Sequence, residues 1–132
     1  MAYTHTINEN ITYSAGASNT RVVQAFTQTA GGEANVSESF TDATDALVDF
    51  TLDVSQLKSL LMYADGGDIT VETNDGTTPG DTITLTDGAH TIYSAASGSG
   101  TANPFSVDVT SLYITNTGTA SLVIRALYDP TV

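Results

Sequence analysis

Alternation of apolar and polar side chains is the feature that most narrows what this chain can become. Over residues 46–54, Ala46, Val48, Phe50, Leu52 and Val54 fall on one side, and Leu47, Asp49, Thr51 and Asp53 on the other. Successive side chains of an extended strand point to opposite faces. The stretch therefore reads as a strand with one face in a core and one in water, as in an antiparallel sheet. Weaker alternations cover 5–13 (Ile7, Ile11, Tyr13), 21–27 (Val22, Phe26) and 34–40 (Ala34, Val36, Phe40).

The second half reads as successive hairpins. A strand over 68–74 (Ile69, Val71) leads through a turn at 75–80 into 82–86 (Ile83, Leu85). Asp87-Gly88 is a two-residue hairpin signal, because a type I′ turn needs positive φ at both positions. It leads into 90–93, and the Ser-, Gly- and Ala-rich stretch 94–103 then predicts a mobile loop. The final pair, 107–116 and 119–128, is joined through Asn116, Thr117 and Gly118. The apolar face of 107–116 switches between Val109 and Leu112, which predicts a bulge near Thr110. Asp53-Val54-Ser55-Gln56 has the form of a capping box and predicts one helical turn, with 60–63 returning to strand. Together these give about eight to ten short strands, the signature of a sandwich or barrel, and the long connections favour a Greek-key or jelly-roll path.

No linker or shift in composition divides the 132 residues, so one domain over 1–132 is expected, with 1–13 either its first strand or an N-terminal arm. The apolar fraction of 40% supports a core of its own. Fifteen acids against Arg21, Lys58 and Arg125 give a net charge of -12. Clustered cations are what displace counterions from phosphates, so nucleic acid is excluded as a partner, and anionic lipid for the same reason. The charge keeps free copies apart in solution and suits docking onto a basic surface. Cysteine is absent, which removes disulfides, zinc thiolates and a thiol nucleophile. The first residues lack a basic-then-apolar signal pattern, and the longest apolar run, 60–64, is far short of a span. Synthesis in a reducing cytoplasm fits both observations.

Residues suited to chemistry are few. His5 and His90 could each be drawn into a triad with a serine and an aspartate, but no Gly-x-Ser-x-Gly elbow surrounds any serine. Asp65-Gly66-Gly67-Asp68 and Asn74-Asp75-Gly76, with Asp81 nearby, offer oxygen ligands for calcium. They lack EF-hand spacing and its closing Glu, and Asp-Gly pairs also serve turns for their own geometry. A glycosidase would need two carboxylates across a cleft, and no pair is marked out. Sugar-binding platforms favour exposed aromatics; Trp is absent and most of the six Tyr sit at strand positions. No catalytic, cofactor or metal residues are assigned, and no cofactor is expected.

The run Val54-Ser55-Gln56-Leu57-Lys58-Ser59-Leu60, followed by Asp68-Ile69-Thr70-Val71-Glu72-Thr73-Asn74, resembles small virion proteins of tailed bacteriophages. So does the block from Ser111-Leu112-Tyr113-Ile114-Thr115-Asn116 through Val123-Ile124-Arg125-Ala126-Leu127-Tyr128-Asp129. The likeness spans roughly 46–129 and lies in style and order, without a signature motif. It includes head decoration, or cement, proteins. The resemblance implies a jelly-roll domain, a non-enzymatic role on the capsid exterior bound to the major capsid protein, and a homotrimer. A tail or fibre component, or a calcium- or carbohydrate-binding module, are the alternatives. The stretch 1–13 carries Tyr3, Ile7, Ile11 and Tyr13, which could add a strand to a partner's edge or simply open the sandwich.

Overall fold

The computed structural model of the chain describes residues 2–15, 18–96 and 99–130, with 11–15 and 18–22 described by their backbone alone. Ten strands follow one another: β1 (Tyr3–Ala15), β2 (Ser18–Ala30), β3 (Gly32–Thr41), β4 (Ala46–Val48), β5 (Leu57–Asp65), β6 (Ile69–Thr73), β7 (Thr82–Leu85), β8 (His90–Ser94), β9 (Leu112–Asn116) and β10 (Thr119–Tyr128). The helical turn expected after Asp53 is a 3-10 turn, Val54–Gln56, and Asp53 caps it by accepting from the Ser55 N–H. Strand resumes at Leu57, three residues before the stretch 60–63 expected to return to strand.

Eight of the strands form two four-stranded antiparallel sheets, in the orders β3-β10-β5-β8 and β4-β9-β6-β7. Every connection from β3 onward passes from one sheet to the other, except that between β6 and β7. That interleaving is the eight-stranded jelly roll. The all-β sandwich read from the alternation is the fold of the chain.

The inward faces follow the two-residue period. Ala120, Leu122, Ile124 and Ala126 of β10 are buried with Leu60, Met62 and Ala64 of β5; Leu112 and Ile114 of β9 and Ile69 and Val71 of β6 are buried from the other sheet. The strand expected over 46–54 is shorter than its alternation. β4 stops at Val48, and only a single bridge, Leu52 to Val109, continues the pairing. The alternation still reports burial: Phe50 is 4% exposed and outward Leu47 61%.

Two expected hairpins are crossings between sheets. Asp87-Gly88 joins β7 to β8 and Thr117-Gly118 joins β9 to β10, each pair split between the sheets. Gly88 has φ +80 whereas Asp87 keeps negative φ, so the turn is not type I′. The expected bulge near Thr110 is instead the end of a strand. Asn74, itself at φ +71, turns its side-chain carbonyl to the Thr110 N–H at 2.8 Å and its amide to the Asp108 carbonyl at 2.8 Å. A side chain thus replaces the neighbouring strand there, and β9 begins only at Leu112. The stretch 94–103 is tied at its described ends: Ser94 N–H donates to Thr101 Oγ1 at 2.9 Å, and the Ser99 hydroxyl to the Ser94 carbonyl at 2.9 Å.

The segment 1–13 joins neither sheet. β1 pairs with β2 in a two-stranded antiparallel ribbon running from Tyr3 opposite Ala30 to Ala15 opposite Ser18. The side chains of Ile11, Tyr13, Arg21 and Val22, and Met1 entirely, lie outside the described residues. Ribbon and sandwich meet at Gly31-Gly32, where a Cβ on Gly32 would lie 2.6 Å from Cζ of Tyr128. The tyrosine ring occupies the space that only glycine leaves open.

Phe50→Ala should cost about 3–5 kcal/mol in urea unfolding, through lost burial and a cavity. Leu47→Ala, three residues earlier on the outward face, should change stability by no more than about 0.5 kcal/mol. Equal effects would contradict the assignment of the two faces.

Candidate functional surface

The carboxylates of the loops face the chain's own backbone. Asp81 accepts from Ser106 N–H at 2.9 Å and from the Ser106 hydroxyl at 2.6 Å, tying the β6–β7 connection to the long segment before β9. At the other end of the sandwich, Asp68 accepts from Asp87 N–H at 2.8 Å and Asp87 from Gly66 N–H at 3.0 Å. Asp42 accepts from Gly118 N–H at 2.8 Å and Asp108 from Val54 N–H at 3.0 Å. Jelly-roll connections must cross between sheets and leave the ladders behind. Charge-assisted bonds from backbone N–H groups take over where strand pairing ends.

These contacts also place the acids considered for calcium. Asp65 is exposed at the end of β5, Asp68 is engaged with Asp87, and Asp75 accepts from Thr77 N–H at 2.8 Å and the Thr78 hydroxyl at 3.0 Å. Among the described residues, no three or more His, Cys, Asp or Glu side chains are grouped to hold a metal ion. The Thr77 backbone N–H, helped by Thr78, holds the Asp75 carboxyl below the ordinary range.

The two histidines make other contacts. His90 tilts its ring against Tyr63, centroid to centroid 4.7 Å. His5 reaches from β1 to Glu33 of β3, Nε2 to Oε1 at 2.9 Å. That bond is the chief reason the Glu33 carboxyl lies below its usual range, with Asn35, the His5 charge and Arg125 adding to it. Among the described residues it is the one side-chain hydrogen bond between the ribbon and the sandwich.

Beside it the ribbon overhangs the outer face of the β3-β10-β5-β8 sheet and encloses a groove of about 450 Å³. Ile7 forms one wall, Leu61 and Ile92 the other, and Ser59 and Arg125 also line it. Arg125 donates from Nη1 to the carbonyls of Val36 and Ile124, at 3.1 and 3.0 Å. The ribbon's other face is polar and open. Thr4 bonds Thr29 at 3.1 Å and Thr6 bonds Thr27 at 3.2 Å across it, and Val23 stands 63% exposed.

No family model matches the chain, and neither a curated protein nor a solved structure does. The ribbon and the groove beneath it stand apart from the sandwich in the geometry itself. The alternation marks strands at both 5–13 and 21–27 without pairing them. The available signal was that both are alternating and adjacent, with only a short break between.

The sign of the Asp75 effect is testable. A carboxyl held below its usual value stabilises the folded loop above the unfolded-state pKa and loses that contribution as pH falls through the folded value. The Thr77 and Thr78 amide resonances should titrate with a midpoint below about 3.9. Asp75→Asn should abolish that transition. A midpoint at or above the ordinary value would contradict the bonding described.

Proposed function

We propose that this chain is a non-enzymatic structural protein of a virion: a capsid decoration, or cement, protein on the outer surface of a tailed-phage head. Its partner is the major capsid protein, and it acts as a homotrimer after synthesis in the host cytoplasm. The observation that carries this reading is the division of labour within the fold. The contiguous core cluster runs from Val36 onward and, among the described residues, takes no member from β1 or β2, whose one buried apolar side chain is Ala30 at the end of β2. A long ribbon that adds so little to the core is surface kept for other molecules.

Two further features support the reading. Crossing loops are stitched by carboxylates rather than disulfides, which suits a body made without cysteine. The charge of -12 suits steering toward a basic shell. Several copies, each with modest contacts, would gain durable attachment by multivalency.

Purified chain added to undecorated heads should bind saturably to their exterior and raise the temperature at which they rupture. Raising salt should slow association more than it weakens the final complex. Absence of head binding, or density confined to tails or fibres, would overturn the proposal.

A further inference from the structure

The charge of the chain is divided as sharply as its fold. Residues 1–31 hold one acid, Glu9, and one cation, Arg21, so the ribbon carries no net charge with His5 neutral. The other fourteen acids, with Lys58 and Arg125, all belong to the sandwich, which bears the whole of -12. A contact between two sandwiches sets net negative charge against net negative charge. A charged patch can serve a different partner by complementarity, but against its own copy it repels. The neutral ribbon is the surface on which that penalty vanishes.

Its geometry fits the same use. A two-stranded ribbon is marginal by itself and leaves a row of unpaired N–H and C=O groups along each outer edge. β1 and β2 form a sheet of two, so each has one edge that, among the described residues, no strand covers. The outward face around those edges is short and uncharged: Thr4, Thr6, Val23, Ala25, Thr27 and Thr29, all exposed.

We infer that the ribbon is the seam of self-association: copies of this chain join edge to edge through β1 and β2, which hold the acidic sandwiches apart. The seam does not depend on the decoration reading, since it rests only on this chain's charge and edges.

Sedimentation of the full chain tests it. The wild type should assemble reversibly, and more tightly as salt rises from about 0.05 to about 0.5 M and screens the sandwiches. Val23→Glu with Ala25→Glu charges the ribbon and should weaken assembly by at least about tenfold, because the added carboxylates lose water at the seam with no cation to meet them. The neutral pair Val23→Thr with Ala25→Thr should assemble as wild type. Thr82→Glu with Thr84→Glu, which adds the same charge on exposed positions of β7, should weaken it far less than the charged ribbon pair. A wild type that stays monomeric at both salts overturns the inference, as does equal loss in the β7 pair or no loss in the charged ribbon pair. Head binding is scored separately. An assembled chain that ignores heads refutes decoration and leaves the seam standing, while a monomer that decorates heads does the reverse.

Discussion

Everything in this molecule depends on burying the space between two sheets. β10 sits inside one of them, flanked by β3 and β5, and places Leu122 and Ile124 in full burial. β9 and β6 occupy the same position opposite, with Leu112, Ile114, Ile69 and Val71. Burial of this kind is the dominant favourable term in folding, and it grows with the apolar area removed from water. Its cost is topological. Strands that are neighbours in sequence must keep changing sheet, so the connections leave the ladders and need other partners. Asp42, Asp68, Asp81, Asp87 and Asp108 supply them.

Two of the buried polar groups, Asn116 and Thr73, follow the same logic. Asn116 ends β9 beneath the crossing to β10; its Oδ1 accepts from Ala43 N–H at 2.9 Å and its Nδ2 donates to the Phe40 carbonyl at 2.9 Å. Thr73 accepts from Asp81 N–H at 2.8 Å. Each lies where an inward position coincides with a departing loop, and each is satisfied there.

Much of this was legible in the residues. The 46–54 alternation named the buried side of β4 and of the extended segment through Leu52, and Asp53 marked the helical turn at Val54–Gln56. The β6–β7 pair was legible because a true hairpin keeps both strands in one sheet. Asp87-Gly88 and Thr117-Gly118 misled because a turn signal says that the chain reverses, and not which sheet receives it. Asn74 was invisible for a related reason. Its amide replaces a strand partner thirty-odd residues away in sequence, and no local pattern records that. In the candidate surface, the strands of the ribbon were legible but their mutual pairing was not. The groove beneath them comes from the way Gly31-Gly32 lays the ribbon back over Leu61 and Ile92, a tertiary fact.

The central claim is that the sandwich is complete without its ribbon. Native-state hydrogen exchange measures it directly, because amides report the free energy of the opening that exposes them. β5, β6, β9 and β10 should exchange only through global unfolding. In free chain at low concentration, β1 and β2 should exchange through a separate, lower-energy opening that leaves the sandwich protected. Protection of β1 and β2 equal to that of β10 in dilute monomer, lost together with it, would contradict the claim.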